Sequence, residues 1–241
     1  MADTDPLMRK LSHGADLSEE DRRALREALR DVRQFAGRSD MISEGDRPER
    51  VHVILEGFAC RYKIVPDGGR QIVAYLVPGD FCDLHVAILG RMDHSIGALT
   101  KCTIGLIPHQ LVDTWSASRP ALTRALWWAT LVDEGILREW IVSMGRRPAD
   151  KQLAHLLCEM HCRLRIVGRA TEDGFDFPIT QADLADTLGI TDVHVNRMLH
   201  QLRTSSLIQL SGKHVTIPDI AQLQHFADFD PGYLHLHRRT H

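Results

Sequence analysis

Residues 178–217 restrict what this chain can become more than any other stretch. Thr180-Gln181-Ala182-Asp183 sets a hydroxyl three residues before an acid, the pattern of a helix N-cap. Leu184, Ala185 and Leu188 follow on one face, and Gly189 ends the helix. Thr191 suits the cap of a second helix, in which Val195, Met198, Leu199 and Leu202 recur at i, i+3, i+4 and i+7. The opposite face presents Asp192, Val193, Asn196, Arg197 and His200. Leu207–Leu210 and His214–Ile217 flank Ser211-Gly212-Lys213, a tight hairpin. Helix, turn, helix and hairpin make a winged helix-turn-helix, with small Ala185 where the helices cross.

The chemistry of that exposed face is that of double-stranded DNA. The major groove admits one α-helix, where Arg197 can pair bidentately with guanine, Asn196 can read adenine, and His200 can reach a base edge or phosphate. Thr180, Gln181, Thr191, Asp192, Val193 and Lys213 complete the expected contact set, with Thr191 and the wing's Lys213 positioned for phosphates. The rest of the composition neither announces nor forbids this. Net charge is −3 over 241 residues. Residues 1–145 carry 18 Lys+Arg against 21 Asp+Glu, and residues 146–217 carry 9 against 8. A DNA-binding surface must therefore be a local patch.

Upstream, the texture changes twice. The first forty residues read as a polar helix capped at Ser18, with Leu25, Ala28, Leu29 and Val32 as its stripe. From Met41 to Pro108, short apolar runs are punctuated by Glu56-Gly57, Pro66-Asp67-Gly68-Gly69 and Pro78-Gly79-Asp80, which predicts a β-sandwich or roll. Pro120 opens a helix of about 25 residues, nearly 40 Å long. Its stripe is Leu122, Leu126, Ala129, Val132, Ile136, Trp140 and Met144, widened by Trp128, Leu131, Leu137 and Ile141. So wide an apolar surface predicts a second helix alongside, a dimer seam, although Asp133-Glu134-Gly135 interrupts it. A boundary falls at Arg146-Arg147-Pro148, and Thr171–Phe177 reads as a loop.

The fold class expected is α+β: an N-terminal cyclic-nucleotide-binding-like β-roll, a long dimerisation helix and a C-terminal winged helix-turn-helix. The divisions are 1–113 for the N-terminal helix and β-roll, 114–146 for the long helix, 147–222 for the winged domain and 223–241 for a tail. In this order of elements the chain resembles the Crp/Fnr family of bacterial transcription regulators over nearly its whole length. Met41-Ile42-Ser43-Glu44-Gly45-Asp46, Val53-Ile54-Leu55-Glu56-Gly57 and Leu76-Val77-Pro78-Gly79-Asp80-Phe81 resemble the family's β-roll signatures, and Ile179–Leu207 its helix-turn-helix. The resemblance implies a homodimer on a palindromic operator, contact with RNA polymerase in an activator, and a small-molecule effector of unknown identity. Effector binding would then shift the long helices and the spacing of the recognition helices.

The resemblance also places an effector pocket at Gly79, Asp80, Phe81, Asp83, Leu84, His85, His94 and Ser95. In cyclic-AMP-responsive members a Gly-Glu-Leu turn and an Arg-Ser pair hold the ribose and phosphate. Here those places hold Asp83-Leu84-His85 and His94-Ser95, so the carboxylate and the arginine are both gone. An anionic cyclic phosphate loses its charge-assisted partner, and cyclic AMP in the usual mode is not expected. At the start of the recognition helix the family's Arg-Glu pair is Asp192-Val193, so only Arg197 carries over.

Metal and enzyme readings are alternatives. No cysteine precedes Cys60, which excludes the N-terminal iron–sulfur cluster of some relatives. Cys82 and His85 offer a haem or metal pair in a redox- or gas-sensing regulator, set against Cys82 as a buried small hydrophobe. His155, Cys158 and Cys162 share a helix face that can ligate zinc, set against thiols buried by packing. Tail residues His235, His237 and His241 would hold nickel or zinc weakly. A cupin-like metalloenzyme requires His-x-His, which residues 41–110 lack, and no nucleophile elbow, phosphate loop or HExxH is found. The expectation is no enzyme, no cofactor and no metal. Five cysteines without a CxxC pair, no apolar run of membrane-spanning length and no basic-then-apolar leader in Met1–Lys10 predict a cytoplasmic protein without a membrane partner.

Overall fold

The computed structural model describes residues 5–236, so His237 and His241 of the tail and the first four residues lie outside the described residues. The described residues divide into two compact units, 5–63, 73–134 and 235–236 in one and 64–72 and 135–234 in the other. The elements of the N-terminal half are α1 (Pro6–Leu11), α2 (Glu19–Ala28), β1 (Val32–Phe35), β2 (Ser39–Ile42), β3 (Arg50–Glu56), β4 (Ala59–Ile64), β5 (Arg70–Leu76), α3 (Val86–Leu89), β6 (Ser95–Ala98), β7 (Cys102–Pro108), α4 (His109–Ser118) and α5 (Pro120–Arg146). Two antiparallel sheets form, β1-β7-β3 and β2-β6-β4-β5.

Period-two alternation in these strands feeds two cores. Ile54 and Ile104 join Ile42, Ala59 and Ile96 of the other sheet in one apolar cluster. Val51, Val53 and Ile107 point the other way and meet Leu7, Met8 and Leu11 of α1, Leu25 of α2, and Leu122, Leu126 and Ala129 of α5. Burying side chains of this size stabilises the unit by about 1.5–3 kcal/mol each.

Residues 1–40 depart from the single helix expected. Asp5 caps α1 with Pro6 at its first position, and Ser18 and Asp21 form a reciprocal capping box that starts α2 separately. Leu25, Ala28 and Leu29 are buried as the stripe predicts, but Val32 is already a strand residue opposite Gly105 and half exposed. Pairing with β7 outweighs the helical period there. Likewise Asp133-Glu134-Gly135 does not interrupt α5, whose helix runs unbroken to Arg146. Gly135 is needed for space: a Cβ there would stand 2.9 Å from the Tyr233 carbonyl. Met144, expected in the buried stripe, is exposed, whereas Leu122 through Trp140 of that stripe are buried.

The C-terminal half continues with α6 (Ala149–Ile166), β8 (Gly174–Asp176), α7 (Gln181–Leu188), α8 (Asp192–Thr204), β9 (Gln209–Ser211), β10 (His214–Thr216) and α9 (Ile220–Ala227). Leu153, Leu156, Leu157 and Met160 of α6 are buried as expected, together with His155, Cys158, Glu159 and Arg163 on its other faces. That helix packs against α7, α8 and α9 and is the hub of the unit. The expected loop at Thr171–Phe177 instead holds β8, which pairs with β10 and makes the wing a three-stranded sheet, β8-β10-β9. A three-residue edge strand has no periodicity of its own; its pairing comes from a partner 40 residues away. Among the described residues no helix is long and apolar enough to cross a membrane.

Candidate nucleic-acid interface and effector turn

The two helices of 178–204 form as their caps predict. Thr180 accepts from Asp183 N while the Asp183 carboxylate accepts from Thr180 N at 3.0 Å and Oγ1 at 2.6 Å. Gly189 closes α7 in the left-handed region at φ 66°, and Thr191 caps α8 by accepting from His194 N. Val195, Met198 and Leu202 are buried, Leu199 half-buried. Asp192, Val193, Asn196, Arg197 and His200 are all exposed, Val193 to 81%.

The exposed residues hold one another lightly. Asn196 Nδ2 donates to Gln181 Oε1 at 3.3 Å, which ties the recognition helix to the start of α7. Arg197 Nη2 lies 2.9 Å from His194 Nε2. His194 was not singled out from sequence; its i, i+3 spacing from Arg197 is the signal that could have found it. Thr180, Gln181 and Thr191 are exposed, and so is Lys213 in the hairpin turn.

Asp183 serves twice. Besides capping α7 it is wholly buried and takes Arg70 Nη2 at 2.7 Å, while Arg70 Nε takes Asp186 at 2.7 Å. Gln71 Nε2 donates to Thr187 O at 3.2 Å. Two residues from the start of β5 thus belong to the helix-turn-helix unit. No motif marked them, because the partners are 113 to 116 residues apart in the chain.

The turn at 79–95 divides into residues used by the fold and residues left over. Asp80 is buried, pairs with Lys10 at 2.6 Å and accepts from Val77 N. Phe81 packs in the helix-side core. Asp83, also wholly buried, accepts from His52 N at 2.6 Å and faces His52 Nδ1 at 2.8 Å. Gly79 donates to Ile54 O, and Ser95 Oγ accepts from Glu44 N. Leu84 is half-buried beside the helix-side core.

His85 and His94 remain, with ring centroids 5.3 Å apart. Burial and the nearby Arg61 guanidinium hold both imidazoles below their ordinary pKa, hence neutral near pH 7. Asp93, which the sequence reading did not single out, lies 2.6 Å from His94 Nδ1 and 3.8 Å from His85 Nε2. Cys82 is not part of this group: it is wholly buried among Ile54, Met92 and Ile96, and burial raises its thiol well above the ordinary range. Cys158 is likewise buried and its thiol raised by burial, and half-buried Cys162 is pushed up to about 11. His155 is enclosed by Phe229 and Tyr233 rather than gathered with those thiols.

Comparison with known proteins agrees with this architecture. Residues 32–117 match the family described as cyclic nucleotide-binding domain, and residues 151–226 the family described as Crp-like helix-turn-helix domain. The nitrogen fixation regulation protein FixK of Bradyrhizobium diazoefficiens is 30% identical over 196 residues, 80% of each chain. The transcriptional activator protein FnrL of Cereibacter sphaeroides is 29% identical over 203 residues, 82% of this chain and 80% of that one. The structure of FixK2 from Bradyrhizobium japonicum shares the fold at TM-score 0.74 and 24% identity, covering 81% of this chain and 96% of that one. The relatives are transcription regulators and not enzymes, and the chain belongs to the Crp/Fnr family of DNA-binding transcription regulators.

Proposed function

We propose that this regulator is a cytoplasmic homodimer that reads a palindromic operator through α8, and that its β-roll takes a small effector other than cyclic AMP held in the usual way. The observation that carries the DNA reading is the division of α8. Val195, Met198 and Leu202 are turned inward, and Val193, Asn196, Arg197 and His200 are left outward with no packing role. Arg197 is the guanine reader and Asn196 the adenine reader; Val193 and His200 border them. Thr180, Gln181, Thr191 and Lys213 position the helix on phosphates, and Asp192 suits a cytosine amino group.

The dimer reading is supported by the second stripe of α5. Trp127, Leu131, Leu137 and Ile141 are exposed although the same helix buries a complete stripe against its own chain. Positions 127, 131, 134, 138 and 141 alternate steps of four and three, the spacing of a two-stranded seam. Glu134 and Arg138 give that seam opposite charges, which a second copy can match. On this reading residues 1–113 are the effector-type domain, 114–146 the dimerisation helix, 147–222 the DNA-binding domain and 223–241 a tail. An activating member would add a contact with RNA polymerase. The cyclic-AMP exclusion is supported by Asp83 and Asp80, whose carboxylates are already committed to His52 and Lys10, and by His94 in the arginine's place.

Selection of bound duplexes from a random DNA library tests this reading. The expected result is a two-fold symmetric motif with half-sites about 34–36 Å apart. Failure to enrich any motif, both with purified protein and with added cell extract, would sink it. Cyclic AMP is expected to leave the melting temperature unchanged; a saturable rise would restore the nucleotide pocket.

A further inference from the structure

We propose that His85, His94 and Asp93 form a binding site for one divalent first-row transition-metal ion in the β-roll. The site stands on its own geometry and does not depend on how α8 reads DNA.

One nitrogen from each imidazole and one carboxylate oxygen of Asp93 lie within 4.8 Å of one another. Ligands about 2.0–2.1 Å from a tetrahedral ion sit roughly 3.3 Å apart, so the three need to draw in by an ångström or so. Asp93, whose side chain is 82% exposed, would exchange its 2.6 Å contact with His94 Nδ1 for the ion. His85 closes the preceding turn as the residue before α3, and His94 precedes β6, so the two rings are delivered by opposite ends of one segment.

A second observation points independently to a ligand. The Nε2 atoms of His85 and His94 are both shut off from solvent, and neither has a hydrogen-bond partner among the described residues. Buried polar atoms in folded proteins are ordinarily paired, so each of these two calls for a partner. Asp93 faces His94 Nδ1 at 2.6 Å, which places the ring proton on Nδ1 and leaves Nε2 as a bare lone pair. The Arg61 cation is itself answered by Asp133 at 3.0 Å, and Asp83 and Asp93 leave the locality net acidic.

The donor set selects the ion. Two imidazoles and one carboxylate suit Zn²⁺, Fe²⁺, Co²⁺ or Ni²⁺ and disfavour Ca²⁺ and Mg²⁺, which require oxygen cages. No thiolate joins, since Cys82 faces the apolar core. Three protein ligands leave at least one coordination position open on the side of exposed Asp93.

The test is a Co²⁺ titration of the full chain after chelator treatment, read by visible ligand-field absorption and by displacement with Zn²⁺. One equivalent is expected to bind and develop tetrahedral-type bands. Asp93→Asn, which changes an exposed side chain and leaves the packing intact, is expected to weaken binding about 10–100-fold. His94→Gln and His85→Gln should weaken it further, with thermal melting confirming that each variant folds. Replacing the tail histidines together, His235→Gln, His237→Gln and His241→Gln, should leave the bands and stoichiometry unchanged. Binding that survives Asp93→Asn and both histidine variants at full strength, or that disappears with the tail replacement, overturns the site. So does the absence of a stoichiometric spectrum.

Discussion

The outward face of α8 and the 79–95 turn of the β-roll both carry the polar residues on which family resemblance rests, yet they have opposite fates. On α8 Asn196 and Arg197 stay at the surface, in contacts of 3.3 Å with Gln181 and 2.9 Å with His194. In the β-roll turn Asp80 and Asp83 are buried and wholly engaged by Lys10 and His52. A residue held at the surface is available to a partner molecule. A residue recruited to satisfy the interior is not, whatever its place in a motif. Within the turn, among the described residues, the buried Nε2 atoms of His85 and His94 are left without a hydrogen-bond partner.

This contrast can be broken by substitution. The largest effect is expected from Leu202→Ala on the inner face of α8, which should destabilise the DNA-binding unit by about 2–5 kcal/mol in denaturant unfolding. A loss under 1 kcal/mol would mean that α8 does not need its inner stripe. Next is pH. Burial lowers His155 to about 4 from its ordinary 6.5, so the folded chain excludes a proton that the unfolded chain accepts. The stability contributed by neutral His155 is present above pH 6.5 and is lost as pH falls toward 4, by up to about 3 kcal/mol. His155→Gln should flatten the stability profile in that window, and an unchanged slope would contradict the burial argument.

A smaller loss, about 1–3 kcal/mol, is expected for Asp83→Asn, because one of the two His52 donors loses its acceptor. If thermal stability is untouched, Asp83 belongs to a pocket after all. Arg197→Ala reverses the pattern: stability should stay within about 0.5 kcal/mol of the parent, while discrimination at one base pair per half-site falls by about 1–3 kcal/mol. Equal affinity for specific and substituted duplexes in both proteins would move the recognition register. The mildest change is Lys213→Ala, which should weaken all duplexes alike and reduce the salt slope by about one; a loss confined to one sequence would assign the wing a base contact.

What could be read from the residues alone follows the range of the interactions. Capping at Ser18, Thr180 and Thr191 is decided within three residues, and the inner stripes of α5, α6 and α8 within two turns, so all were legible. The wing hairpin was visible from Gly212 and its flanking strands. What escaped depends on distant partners. Strand β1 looked like the last turn of a helix because Val32 fits the helical period, and only its pairing with β7 decides otherwise. Asp93 carried no signal of its own, because only the folding of segment 85–95 brings His85 back beside His94.

The tie between Arg70 and α7 bears on how this chain can change length. Pro66-Asp67-Gly68-Gly69 has the composition of a surface loop, where insertions and deletions are ordinarily best tolerated. Yet the residue that follows it is registered on two acids, one of them wholly buried. Adding or removing one residue would turn Arg70 to the other side of its strand and leave Asp183 without its cation. The stretch that looks freest to drift is therefore fixed in length, and variants selected for function should accept new side chains there far more readily than new residues.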